Sequence, residues 1–251
     1  MNETIASKKQ NLFYILCSIF VTNAIIAEVI GAKIFSVTDL FGITTQTGLL
    51  SKVNMSAGVV NWPIVFITSD IINEYYGRQG VKRVSYMTAL MIAYSFFIIY
   101  IATALPPAQF WLDINKGSGN INTSFGIIFR QGMGIIVGSI LAFLVGQILD
   151  SMVFHRLRIA TNNKYIWLRV TVSTLFSQLI DSFIVIFIAF YLFGNFTFEQ
   201  VIAVGTTNYV YKSILAVSLT PLVYLAHNII EKYLGKEAHK KLIDDATFTK
   251  K

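Results

Sequence analysis

The chain has 251 residues, of which 55% are hydrophobic and 13% charged, with a formal net charge of +7. A soluble domain carries about 25% charged residues, so this chain has too few to cover a water-facing surface. Its apolar residues are bunched in stretches long enough to cross a hydrocarbon core of ~30 Å at about 1.5 Å per helical residue. The basic residues sit at the ends of those stretches, which argues for helix orientation in a bilayer and against nucleic-acid binding. The pattern predicts an all-α integral membrane protein with six transmembrane helices in a single domain.

The first apolar run, 12–35, is too long for the apolar core of a signal peptide and reads as the first membrane helix. It contains Asn23 and Glu28, and the only cysteine, Cys17, which has no partner for a disulfide. Residues 36–57 read as an outer loop that holds a short hairpin or half-inserted segment. The second helix is expected over 58–76, where Asp70, Asn73 and Glu74 share a face at spacings of i, i+3 and i+4. Glu74 lies near Arg78, so a rim salt bridge competes with a solute contact. Tyr75, Tyr76 and Trp167 fit an inner aromatic belt.

The third helix is expected over 84–104, closed by Pro106-Pro107, because proline cannot donate the next backbone bond. Ser118-Gly119-Asn120 is loop chemistry ahead of a fourth helix over 125–149. The fifth is expected over 168–193 and the sixth over 201–228. With the N-terminus inside, fifteen Lys and Arg fall on the inner side and four on the outer, with Lys212 within a helix. That asymmetry places both termini in the cytosol.

Charges inside apolar runs carry the functional signal. An ionisable side chain near the bilayer centre costs about 2.5–3.5 kcal/mol on insertion scales. Asp181 and Lys212 both fall near mid-depth, and either a structural ion pair or a solute site accounts for them. Gln178 lies three residues before Asp181 and Asn208 four before Lys212, so each charge has an amide on its own helix face. An amide with a carboxylate can read a flat heterocycle, since together they offer donors and acceptors.

The pattern small-Gln-aliphatic-aliphatic-Asp-Ser occurs twice. It runs Gly146-Gln147-Ile148-Leu149-Asp150-Ser151, then Ser177-Gln178-Leu179-Ile180-Asp181-Ser182. On antiparallel helices such a repeat would be inverted, as in many carriers. Asp150 sits near the expected inner end, where pairing with the basic His155-Arg156 segment is an alternative. No phosphate loop of the Gly-x-x-x-x-Gly-Lys type and no His-Glu-x-x-His zinc pair is present. His155, His227 and His239 are far apart in sequence. An enzyme is not expected, nor a metal or cofactor.

The stretches Asn61-Trp62-Pro63 and Thr68-Ser69-Asp70-Ile71-Ile72-Asn73-Glu74-Tyr75-Tyr76-Gly77-Arg78 are similar to the second-helix signature of the queuosine precursor transporter family, also called the vitamin uptake transporter family. Gln147 to Asp150, Phe154 to Arg158, Ser173 to Asp181 and Tyr211-Lys212 resemble later motifs of that family, in order, over about residues 12–235. The resemblance implies a multi-pass importer in a bacterial inner membrane. Its solutes would be 7-deazapurine bases such as preQ0 and preQ1. It also implies Asp70, Gln147, Asp150, Gln178, Asp181 and Lys212 as matching polar positions. It further suggests kinship with the solute-binding subunits of energy-coupling-factor importers. In that alternative the small residues from Ala24 to Ala27 and Gly31-Ala32 would meet a partner helix. A homo-oligomer is compatible with either reading.

Overall fold

A computed structural model describes residues 3–40, 42, 54–130 and 132–248. Among these residues the architecture is all-α apart from one small ribbon. Helix α1 spans Glu3–Ile30 and leads into the ribbon, in which β1 (Ile34–Ser36) pairs antiparallel with β2 (Asn54–Ser56). Between them lies the one-turn α2, Val37–Leu40. The expected outer hairpin thus has a strand pair at its base, while residues 41 and 43–53 lie outside the described residues. Gly31 ends α1 four residues before the predicted Phe35.

Helix α3, Trp62–Ala104, joins the expected second and third helices into one element, broken at Gly77 by a left-handed φ of 64°. A Cβ placed on Gly80 would lie 3.4 Å from Cγ2 of Ile72. Eight residues of straight helix would separate them by ~12 Å. The chain therefore folds back at Gly77. Glycine suits the reversal because it has no steric penalty at positive φ.

Two short helices, α4 (Gln109–Ile114) and α5 (Ile121–Phe129), precede the long α6, Met133–Ala160. The expected fourth helix is corrected at both ends. Asn120 caps the separate α5 by accepting from the Thr123 amide at 3.1 Å. Helix α6 continues eleven residues past the predicted Leu149. It packs on α7, Ile166–Ile186, which winds on as a π-helix through Leu192. The two join through a turn with left-handed Asn162, Asn163 and Tyr165.

Helix α8, Phe198–Leu234, starts with a capping box in which the Thr197 hydroxyl accepts from the Gln200 amide. It satisfies otherwise orphaned backbone donors. The amphipathic α9, Lys236–Phe248, has no counterpart among the expected elements and packs against α3 and α8. Among the described residues, five helical stretches are long and apolar enough to cross a membrane. The main core joins Leu12, Leu16 and Phe20 of α1 to Ile72, Val84 and Ile92 of α3. Ala24 and Ala27 are buried inside this bundle, so they are not presented to a partner helix.

The Gly77 end of the bundle is locked by buried charge. Glu74 Oε1 accepts from Arg169 Nη2 at 2.7 Å and lies 3.6 Å from Arg158 Nη2. Arg158 also donates to the carbonyls of Asn73, Glu74 and Ile243, which ties α6 to α3 and α9. The rim pairing expected between Glu74 and Arg78 is replaced by this internal cluster. His227 and His239, distant in sequence, meet at 4.5 Å between ring centroids, with Nδ1 atoms 3.0 and 3.1 Å from the Tyr75 hydroxyl. Tyr75 is 1% exposed, so it is a core residue rather than part of an aromatic belt.

Candidate functional site

Each helix of the central bundle turns one face to a cavity of about 320 Å³. From α3 come Trp62, Phe66, Ser69 and Asp70, and from α6 Phe143, Gly146, Gln147 and Asp150. Helix α7 supplies Thr174, Ser177, Gln178, Asp181 and Ser182. Helix α8 supplies Asn208 and Lys212, and α1 supplies Glu28. Spacings of i, i+3, i+4 and i+7 along α6 and α7 put these groups on single helix stripes. The volume falls at the lower end of the ~300–1,000 Å³ usual for small-molecule sites.

The cavity is aromatic near the ribbon and polar deeper in. Trp62 stacks on Phe66 with ring centroids 5.8 Å apart and meets Phe143 at 6.1 Å. Below them Ser69 Oγ donates to Gln147 Oε1 at 2.6 Å. Lys212 Nζ donates to Asp181 Oδ2, so α7 and α8 are joined by an ion pair that itself lines the cavity. Among the described residues, Asp70 Oδ1, Gln178 Oε1 and Ser182 Oγ are buried without a hydrogen-bond partner. A buried polar atom left unpaired costs about 1–3 kcal/mol. All three residues border one cavity, an arrangement that a polar guest could complete.

The two sequence repeats face each other across the α6–α7 contact. The first residue of each copy meets the aspartate of the other. Ser177 Oγ donates to Asp150 Oδ1 at 3.4 Å, and Thr174 Oγ1 adds a contact at 3.5 Å. A Cβ on Gly146 would lie 3.6 Å from Asp181 Cβ and 3.8 Å from Asp181 Oδ1. Asp150 is thus held by hydroxyls deep in the bundle and makes no salt bridge with the His155-Arg156 segment.

Eight of the sequence-derived candidates converge here: Glu28, Asp70, Gln147, Asp150, Gln178, Asp181, Asn208 and Lys212. Three do not line the cavity. Asn23 Nδ2 donates to the carbonyl of Ile19 on its own helix. Asn73 and Glu74 belong to the buried cluster at the Gly77 end. Ser69, Thr174, Ser177 and the aromatic trio Trp62, Phe66 and Phe143 were not singled out as site residues from sequence. The hydroxyl stripe through 174 and 177 carried a readable signal, since it continues to Asp181 at helical spacing.

Residues 56–226, more than half of the chain, match the family described as "Putative vitamin uptake transporter". The chain belongs to the vitamin uptake transporter family. As a member it is 27% identical over 199 residues to a Bacillus subtilis protein named "Probable queuosine precursor transporter", covering 79% of this chain and 78% of that one. It is 27% identical over 183 residues to the Escherichia coli "Queuosine precursor transporter", covering 72% and 76%. A Haemophilus influenzae relative, also named "Probable queuosine precursor transporter", is 24% identical over 216 residues, covering 82% and 85%. No solved structure matches the chain.

Proposed function

We propose that the chain imports a queuosine precursor, a 7-deazapurine base such as preQ0 or preQ1, across a bacterial inner membrane. The cavity carries this reading, because it combines aromatic faces with amide, carboxylate and ammonium groups in one lining. A 7-deazaguanine ring offers a donor edge at its amino group and ring N–H, which suits the carboxylate of Asp181. Its carbonyl suits Lys212 or an amide of Gln147, Gln178 or Asn208. The ring faces suit Trp62 and Phe66, since stacked aromatics favour offset contact. The names of the relatives point to the same solute class.

The path crosses the membrane six times, with both termini and the Gly77 turn in the cytoplasm. The reversal at Gly77 supports two crossings within α3. The concentration of Lys and Arg on that side supports the orientation. Solute then enters past the ribbon and meets the Asp181–Lys212 pair. Displacement of Lys212 from Asp181 by the solute would exchange one set of charged hydrogen bonds for another. The chain acts as a carrier and performs no chemistry on the base.

Cells unable to synthesise queuosine, but expressing this chain, should regain queuosine-modified tRNA when fed nanomolar preQ0 or preQ1. Unmodified tRNA despite verified membrane expression would refute the assignment.

A further inference from the structure

We propose that Asp70 and Asp150 form a binding site for a monovalent cation, a proton or sodium ion, that moves with the solute. This rests on the transport reading above and adds the energy source to it. Asp70 is 4% exposed and Asp150 6%. Both line the main cavity, and Thr174 on α7 connects them. Thr174 donates to Asp150 and shares with Asp70 the lining of a second, small pocket beside Val170 and Thr220. Asp70 Oδ1 has no hydrogen-bond partner among the described residues. The hydroxyls of Thr174 and Ser177 reach Asp150 only at 3.5 and 3.4 Å, which is long for a charged acceptor.

No described basic group neutralises either carboxylate. Lys212 is paired with Asp181, and Arg158 and Arg169 with Glu74. Of the other ionisable groups, Glu74 lies one turn along α3 from Asp70, and Glu28 of α1 and Asp181 of α7 line the same cavity. Two buried ionised carboxylates are costly without a counter-charge. A proton held between them, or a small hard ion among oxygen donors, removes that penalty. The surrounding atoms are carboxylate, hydroxyl and amide oxygens, including Ser69 Oγ and Gln147 Oε1. Among the described residues, no three His, Cys, Asp or Glu side chains are grouped to hold a metal ion together.

The test uses the full chain in proteoliposomes with radiolabelled preQ0 and preQ1. Exchange of internal for external base without any gradient checks transport itself, and its absence would overturn both readings together. With exchange present, an inside-alkaline pH gradient or an inward sodium gradient should drive at least tenfold accumulation, and whichever acts identifies the ion. Exchange without accumulation under either gradient overturns the cation site alone. So does accumulation of the amine-bearing base by membrane potential only. D70N and D150N should each lower the ion-driven accumulation ratio to about 1, and a retained ratio overturns the assignment. If these variants move no base, the double variant T174V/S177A decides. It should raise the proton or sodium concentration for half-maximal uptake at least threefold, and an unshifted value counts against the site.

Discussion

Asp150 and Asp181 occupy the same position in two copies of one motif, and the antiparallel α6–α7 contact sets each against the first residue of the other copy. The pairing is reciprocal, yet the chemistry is not. Asp150 meets Ser177 and is held by hydroxyls. Asp181 meets Gly146, which has no hydroxyl, and pairs instead with Lys212 from α8. One missing side chain therefore separates a hydroxyl-bound carboxylate from one engaged in an ion pair. A motif repeated on antiparallel helices can thus place its two carboxylates in different surroundings without changing its spacing.

The sharpest way to break this comparison is to remove the ion pair. Asp181→Asn or Lys212→Met alone leaves a charge facing a neutral partner. For a fully buried pair this costs about 3–5 kcal/mol. The Lys212 and Asp181 side chains are 22% and 17% exposed, so solvent screening lowers the loss to about 2 kcal/mol. Each single variant should therefore lower the melting temperature, and uptake of preQ1 should fall at least about tenfold, because the solute loses a charged hydrogen-bond partner worth about 1.5–3 kcal/mol. The double variant should recover the melting temperature without recovering uptake. Recovery of both would make the pair a structural tie only.

The ion pair was legible in the sequence for a physical reason. A charge inside an apolar run is expensive, so Asp181 and Lys212 stood out, and their helical spacing to Gln178 and Asn208 gave them faces. The depth of Asp150 was less legible. The expected fourth helix ended at residue 149, but α6 continues to Ala160, which moves Asp150 ~15 Å in from the helix end. Trp62, Phe66 and Phe143 could not be told from lipid-facing aromatics, because apolar residues occupy every side of a membrane helix. The cluster of Glu74 with Arg158 and Arg169, and the meeting of His227 with His239, depend on how distant segments dock. Local patterns do not encode those contacts. Helix existence was readable from apolar run length, whereas the joining of two runs at Gly77 depended on a single dihedral angle.

A smaller change should bring the surroundings of the second carboxylate towards those of the first. Gly146→Ser brings a hydroxyl to Asp181, where it competes with Lys212. A hydrogen bond is worth about 0.5–1.5 kcal/mol, so the half-saturation concentration for preQ1 should shift about 2- to 13-fold. Gly146→Ala is the control. Its Cβ would meet Asp181 at ordinary contact distances of 3.6 and 3.8 Å, and uptake should stay within about twofold, since no polar group is added. Equal effects of the two substitutions would assign the loss to bulk and remove the hydroxyl argument.

The converse change, Ser177→Ala, should have the smallest effect. The Ser177 hydroxyl has one proton to share between Asp150 Oδ1 at 3.4 Å and its own helix carbonyl of Thr174 at 3.0 Å. The shorter contact claims most of it, so the bond to Asp150 is weak, and the Thr174 hydroxyl remains nearby. Its loss should cost about 0.5 kcal/mol, roughly a twofold change in preQ1 uptake measured in the same vesicles. A loss as large as that in Lys212→Met would mean that Asp150 depends on its serine as strongly as Asp181 depends on its lysine. The two carboxylates would then be equally dependent on their partners, and the difference between them would have to lie in α8 alone.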